Sequence, residues 1–579
     1  MKEFVKIILA VICAFVIMGI LRFLFFLLIL GSAAMSGSGP AVPKTGGVLD
    51  INMSQFVLAE QTNSDPVPQF SLAGGVSTTT ASVGLRDAVL ALEEAANDPA
   101  IKFAYLRADA ASAGVAQLEE FRKALAAFRN SGKPVLAYTE APSNGSYYLA
   151  SVADKILMGK AHGGTYMLVG LSSQLVFLKD ILDKLGVNVQ LIRHGKYKSA
   201  GEMFVRNSSS PENREQNQVM INSLWASLSA SMAESRDLTP EKFNELIDNL
   251  SFVTPEDFLK HGLVDELVNH EELQKKLCTL AQVEDIKKVH LVSLADYVDA
   301  KVAEPVSKDK VAVIYAEGEI VEGSASSDVA GDRFVGIIEK VRKDKNVKAV
   351  VLRVNSPGGS VSASVKIRTA LDALMSEKPL VASYGDYAAS GGYWISSGCQ
   401  KIYSDATCLT GSIGVFSMIP EFSQVAKKVG VGVETVGSNK HSDMMSLMRP
   451  FDADESAYMQ ATVEDIYELF VNLVATSRDL PVERVDEIAQ GRVWAATDAL
   501  QIGLVDEIGT LEDAISYAAA LADLPSSDDY CVVGYPAPPS FLQQLMDQFG
   551  GGSKDASVFL NYQPGKLYAR IPYDYNISF

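Results

Sequence analysis

Apolar and polar positions along this 579-residue chain follow three successive rhythms. From Ile7 to Leu30 the side chains are apolar apart from Arg22, a run long enough for a helix to cross a hydrocarbon core. Gly31 to Gly46 reads GSAAMSGSGPAVPKTG, a Gly/Ser/Pro stretch without periodicity that predicts a tether. Beyond it, short β-branched runs alternate with stretches of helical spacing. In the second half, Val311–Tyr315, Ala349–Val354 and Leu380–Tyr384 read as buried strands. Asp332–Lys343 and Val361–Met375 read as helices, and a further helix begins at Gly391–Ser397. This alternation predicts an α/β fold with mostly parallel pairing and right-handed crossovers. Between Pro450 and Leu480 apolar residues recur at helix spacing, expected as an outlying helical cap or an oligomer-forming face rather than a catalytic element.

The body of the chain repeats itself. Ser235-Arg236-Asp237-Leu238 returns as Ser477-Arg478-Asp479-Leu480, 242 positions on. Gly262-Leu263-Val264-Asp265-Glu266 returns as Gly503-Leu504-Val505-Asp506-Glu507, 241 positions on, and Leu106-Arg107 matches Leu352-Arg353. So long a period is foreign to solenoids and propellers, and it predicts a duplicated domain with small loop indels. The expected organisation is a membrane anchor over 1–31, a linker over 32–45, one copy over 46–305, a second over 306–530 and a tail over 531–579. The tail, with its prolines and aromatics, is expected to pack on a neighbour or a membrane surface, and nothing in it suggests chemistry.

Charge and composition narrow the function. Lys2 and Lys6 precede the apolar run and the next basic residue beyond Arg22 is Lys44, so the positive-inside rule places the body across the membrane from the cytoplasm. A cleaved signal peptide, with Ser32-Ala33-Ala34 near the cut, is the alternative, but its apolar core would be too long. The net charge of −19 argues against non-specific nucleic-acid binding. Five cysteines form neither a disulfide framework nor a zinc motif, although Cys399 and Cys408 are near enough in sequence to pair in an oxidising compartment. Six scattered histidines leave little for a Ser-His-Asp or di-histidine metal mechanism. His194, His261 and His441 are expected at the surface or as caps, and no cofactor or metal is expected.

Candidate chemistry sits at strand ends of the second copy. Ala349–Val354 leads into Asn355-Ser356-Pro357-Gly358-Gly359-Ser360, where glycines expose backbone N–H groups to an approaching anion. Leu380–Tyr384 leads towards Ala388-Ala389-Ser390-Gly391-Gly392, a serine with steric access at a helix start. Each has a plainer explanation alone, a tight turn for the first and an N-cap for the second. Together they are the two parts that acyl transfer requires. Here VNSPGGS (Val354–Ser360), AASGGYWIS (Ala388–Ser396) and TGSIGV (Thr410–Val415) resemble the motifs of the signal peptide peptidase A, or protease IV, family, and GKYKSA (Gly195–Ala200) supplies a fourth match in the first copy. The resemblance extends over anchor and duplication alike. It implies tandem Clp protease/crotonase-like domains behind an N-terminal transmembrane helix.

The two copies have complementary losses. Asn144 stands opposite Ser390, and Ala111-Ser112-Ala113 stands opposite Pro357-Gly358-Gly359. Conversely, Gly186–Ser199 aligns with Gly430–Asp443, which puts Ser442 where the first copy has Lys198. One site assembled from both halves is therefore expected. A serine needs a base, and a lysine serves only when burial lowers its pKa from about 10.4. Lys196, Lys198 and Lys440 are the candidates, and the resemblance selects Lys198. It also implies that Ser412 orients the lysine amine and that Gly359 N–H, with Gly358 nearby, forms the oxyanion hole. The protein it implies is a Ser-Lys endopeptidase of a bacterial inner membrane, single-pass with its body in the periplasm. It would degrade cleaved signal peptides and other hydrophobic peptides, assemble as a homotetramer, and bind no nucleic acid. The rival classes are a crotonase-type acyl-CoA enzyme, which needs coenzyme A and usually a carboxylate base, and a catalytically inactive envelope scaffold.

Overall fold

The structure is a computed structural model that describes residues 42–62, 68–71, 75–78, 81–111, 113–303, 305–326, 328–538 and 566–571. The apolar run Ile7–Leu30 lies outside these residues, and among the described ones no helix is long and apolar enough to cross a membrane.

Each copy is built around a parallel or mostly parallel sheet, as the alternating pattern predicts, with Val493–Ala495 antiparallel at the edge of the second. In the first, the strand order is Glu266–Val268, Lys155–Gly159, Val135–Thr139, Ile101–Arg107, Gly47–Asn52 and His290–Ser293, parallel throughout. In the second, the order is Val493–Ala495, Leu409–Gly411, Leu380–Ala389, Val347–Ser356, Lys310–Glu317 and Cys531–Tyr535, with Ile402–Ser404 and Glu507–Ile508 branching from Leu380–Ala389. Val347–Ser356 shows why the residues read as a continuous apolar run. Val350, Leu352 and Val354 face one core with Phe334, Ile338 and Ile367, while Ala349 and Val351 face another with Leu511 and Ile515. A parallel strand covered on both faces needs apolar residues at every position.

A third sheet joins the copies. Its order is Val329–Ala330, Ile320–Val321, Gly358–Ser360, Tyr568–Arg570, Val415–Glu421 and Asn188–His194. Asn188–His194 of the first copy runs antiparallel to Val415–Glu421 of the second along its whole length, from His194 opposite Val415 to Asn188 opposite Glu421. Tyr568–Arg570 brings part of the expected inert tail into this sheet.

The helix from Pro450 to Leu480 is present as Ala453–Arg478, but it is not an outlying cap. Tyr467, Phe470, Val471 and Val474 enter the core of the second copy, and Met459 and Val463 pack with Ile192 of the first. Cys399 and Cys408 are buried free thiols.

Buried charge also locks the halves together. Arg353, 1% exposed, reaches Glu60 at 2.8 Å and Glu120 at 2.7 Å, both from the first copy and both buried. Its Nη1 also donates to Ser383 Oγ at 2.9 Å. Glu119 accepts from the backbone N–H groups of Ala406 and Thr407, and Asp386 accepts from that of Ala116. Removing one partner of such a cluster leaves charge buried without compensation, which costs about 3–5 kcal/mol. Arg353→Met is expected to lower the denaturation midpoint by an amount of that size. Adding Glu60→Gln and Glu120→Gln to it will recover part of the loss, as measured by thermal or denaturant unfolding.

Candidate active site

Ser390 sits where Leu380–Ala389 ends and the helix Gly391–Ser396 begins. Its φ of 55° lies in the left-handed region that side chains other than glycine rarely adopt, a local strain typical of functional turns. The backbone is held there by Ser390 N–H donating to Gly411 O at 2.8 Å and Trp394 N–H donating to Ser390 O at 2.8 Å. Its hydroxyl makes no capping hydrogen bond, so the plainer explanation of this serine, an N-cap, does not hold.

The hydroxyl instead meets Lys198. Lys198 Nζ lies 2.8 Å from Ser390 Oγ, 3.0 Å from Ser412 Oγ and 3.1 Å from Ser412 O, with all three residues fully buried. These neighbours match the capacity of a neutral amine, which has two N–H donors for the Ser412 oxygens and one lone pair for the Ser390 proton. Burial drives the lysine pKa well below its ordinary value.

The first copy delivers this lysine through the strand Asn188–His194, which ends in a turn at Gly195, φ 98°. Tyr197 N–H donates to Gln490 O at 2.9 Å, and Arg193 Nη1 donates to Lys198 O at 2.8 Å, so the turn is fixed from both halves. The rival bases lie elsewhere. Lys196 is exposed beside the Tyr197 ring, and Lys440 is exposed and paired with Asp454. Asn144, opposite Ser390 in the repeat, is buried and clamps a loop. Its Nδ2 donates to Gly170 O at 2.8 Å, and its Oδ1 accepts from Val169 N–H at 3.0 Å. Ser442 is exposed. His261 caps the helix Pro255–Lys260, His441 pairs with Glu455, and His194 is half-buried and stacked on Tyr467 at 3.9 Å.

The glycine strand runs alongside. Gly358 N–H donates to Ser356 Oγ at 3.2 Å, and Gly359 stands opposite Ala569 in the antiparallel pairing with Tyr568–Arg570. A Cβ on Gly359 would stand 2.0 Å from Ile320 O, so no other residue fits. Among the described residues, His441, Asp452 and Glu455 form a group with metal-like spacing, but both Glu455 oxygens are engaged by Arg449 at 2.7 Å.

Gly414 lies within the TGSIGV motif, but no sequence motif pointed to Gly491. A Cβ on Gly491 would stand 2.5 Å from Lys198 Cβ and 2.7 Å from its backbone N, and one on Gly414 would stand 3.3 Å from Lys198 Cδ. Gly491 is remote from every motif, and no local signal marks it.

A strained serine within hydrogen-bond distance of a buried lysine, beside a strand of glycines, is a layout that suits a serine peptidase. The Peptidase family S49 model matches residues 127–284 and 372–525, one segment in each copy. Protease 4 of Haemophilus influenzae is 36% identical over 452 residues, 76% of this chain and 73% of that protein. Protease 4 of Salmonella typhi is 38% identical over 440 residues, 74% and 70% of the two chains. The chloroplastic serine protease SPPA of Arabidopsis thaliana is 31% identical over 467 residues, 79% and 68%. The chain belongs to peptidase family S49 and is a serine protease.

Gly491→Ala is expected to push Lys198 away from Ser390. A displacement near 1 Å at a reacting group costs about 10²-fold, so kcat for peptide hydrolysis will fall by about that factor while the circular dichroism spectrum stays native.

Proposed function

We propose that Ser390 and Lys198 form a Ser-Lys dyad that hydrolyses peptide bonds, and the 2.8 Å approach of Nζ to Oγ in a dry site carries this reading. Neutral Lys198 takes the Ser390 proton as Oγ attacks the carbonyl carbon. The resulting ammonium is stabilised by both Ser412 oxygens, and Gly359 N–H, with Gly358 holding the turn beside it, receives the developing oxyanion. The ammonium then returns its proton to the departing amine, and water repeats the sequence on the acyl-enzyme. Ser412 orients the amine.

The substrate in this reading is an extended hydrophobic peptide, such as a signal peptide left in the inner membrane after preprotein cleavage. Its support is the apolar lining beside the glycine strand, where Val361 and Val415 meet Ile192, and Phe416 meets Phe204. The segment Ile7–Leu30 would hold the chain in the inner membrane with its catalytic body in the periplasm, and the charge of Lys2 and Lys6 supports that orientation. The kinship with Clp protease and crotonase belongs to the same reading and rests on the motifs and the paired parallel sheets. A lysine base and a serine nucleophile favour a peptidase over a crotonase-type enzyme, and an assembled dyad favours it over an inactive scaffold.

A homotetramer is also part of the proposal, supported by the repeat. Residues 432–438 correspond to the joining strand 188–194, and residues 171–177 correspond to its partner 415–421. Both lie outside regular structure here and expose Val433 at 55%, Val436 at 95% and Val176 at 59%. The same antiparallel pairing made between chains would close a ring.

Hydrolysis of a hydrophobic peptide by the full chain in detergent tests the dyad. Ser390→Ala and Lys198→Ala will each abolish it, and the double variant will be no worse, because residues acting as one unit are non-additive. Asn144→Ala and Ser442→Ala will keep most activity. Near-normal turnover in Lys198→Ala would reject the reading.

The lowered lysine pKa sets the pH profile. Lys198 acts only as the free amine, so kcat/KM rises with pH through the depressed lysine pKa and falls as the amine is protonated. Lys198→Arg will be inactive throughout, since a guanidinium stays charged. The acidic limb will persist in His441→Gln, and its loss there would point to a histidine base instead.

A further inference from the structure

One short turn, residues 489–492, holds the lysine site from two sides. Tyr197 N–H, next to Lys198, donates to Gln490 O at 2.9 Å, and Gly491 N–H donates to Ile413 O at 2.8 Å. Ser412 N–H donates to Arg492 O at 2.7 Å, and Ser412 Oγ donates to Gly491 O at 3.4 Å. The fit is close, since a Cβ on Gly195 would stand 2.5 Å from Gln490 C and O. The turn takes two consecutive left-handed residues, Gln490 at φ 54° and Gly491 at φ 78°. Glycine enters that region freely, whereas a glutamine has to be held there.

A buried tyrosine holds it. Tyr467, on the long helix Ala453–Arg478, is 4% exposed. Its hydroxyl accepts from Gln490 N–H at 3.3 Å and from Gln490 Nε2 at 3.0 Å. The same hydroxyl donates to Asp486 Oδ1 at 2.5 Å, and Gln490 Nε2 also donates to that oxygen at 2.8 Å. The Tyr467 ring stacks on His194, at the end of the strand that delivers the lysine. The duplication isolates what the hydroxyl adds. Trp225 and Asn244 lie 242 positions before Tyr467 and Asp486, the offset of the Ser-Arg-Asp-Leu repeat. Trp225 Nε1 donates to Asn244 Oδ1 at 2.6 Å, so both copies join these two helices by a ring and a short polar side chain. An indole N–H only donates, whereas a phenol also accepts. The copy whose turn meets Lys198 carries the ring that can take protons from Gln490.

We propose that Tyr467 and Asp486 are positioning residues for the reaction, acting through Gln490 to keep the turn pressed on Lys198 and Ser412. The inference rests on the Ser-Lys reading. Neither residue touches the reacting atoms. Loss of the phenol oxygen frees Gln490 from its left-handed conformation, withdraws Gly491 from Lys198 and admits water to the amine. The amine then sits less well against Ser390 and is protonated at higher pH, because part of the burial that disfavours its charged form is gone. The charged groups on the surrounding elements are Arg193, paired with Glu202, and Arg492, paired with Glu215, with His194 at the strand end. Tyr467→Phe leaves all of these in place and keeps the ring that stacks on His194.

Measurement of kcat, KM and the pH profile on a hydrophobic peptide, with the full chain in detergent, tests this. A displacement near 1 Å costs about 10²-fold, and Tyr467→Phe, which shifts the turn by less, is expected to lose about tenfold in kcat with KM unchanged. Its acidic limb in kcat/KM will move to higher pH, which a merely structural role would not produce. Asp486→Leu will behave alike, and serves in its place if Tyr467→Phe does not fold. Asp486→Asn keeps an oxygen for both hydrogen bonds and will retain near-normal turnover with the limb in place. Trp225→Phe, which removes the corresponding bond in the first copy, will change neither. A normal kcat in Tyr467→Phe, or a lowered kcat with an unmoved limb, overturns the proposal and leaves the dyad standing. Near-normal turnover of Lys198→Ala in the same assay overturns both.

Discussion

Loss of water lowers the pKa of a buried lysine, and in this chain the burial of Lys198 depends on the docking of the two copies. Lys198 is covered by Gly491 and Gly414 and contacted by Ser390 and Ser412, all from the second copy, while its own backbone belongs to the first. The arrangement costs stability. The folded pKa lies below the unfolded value near 10.4, so between the two the unfolded chain holds one more proton, and the penalty on folding grows as pH falls across that window. The long strand pairing between the copies and the Arg353 cluster supply the interface that offsets it.

Duplication explains how such a site is divided. The place that holds the strained Ser390 in one copy holds Asn144 in the other, and there the side chain ties down Val169 and Gly170. The place that holds Lys198 in one copy is an exposed loop with Ser442 in the other. Each half keeps its sheet and lacks one of the two residues, so Lys198 meets Ser390 only when the halves are docked. Asp386, four residues before Ser390, takes part in that docking through Ala116 N–H, and burial pushes its carboxyl up to about 6.

The elements that carry periodicity were legible in the residue pattern alone. Val361–Met375 runs over the expected residues, and the expected strands and helices of the second copy are all present, several with longer ends. Leu380–Ala389 continues five residues past the expected Tyr384, through Gly385 and a polar Asp386, because its extension is what carries Ser390 to the site. The joining sheet was not legible. Its members include strands of two or three residues such as Ile320–Val321 and Gly358–Ser360, too short for an alternation to show. The long helix Ala453–Arg478 was legible as a helix but not as a strut, since its apolar face serves two cores at once.

By itself the sequence determined the α/β class, the duplication, the family motifs and the complementary gaps between the copies. All of these are encoded in local pattern or in comparison of one half with the other. The family motif already singled out Lys198 over Lys196 and Lys440, and only the tertiary structure brings it to Ser390 within one chain. It also showed that Gly491 presses on that lysine and that Tyr568–Arg570 pairs with the glycine strand. These are contacts between residues far apart in sequence, set by how sheets dock and which groups lose their water, and no local pattern records them.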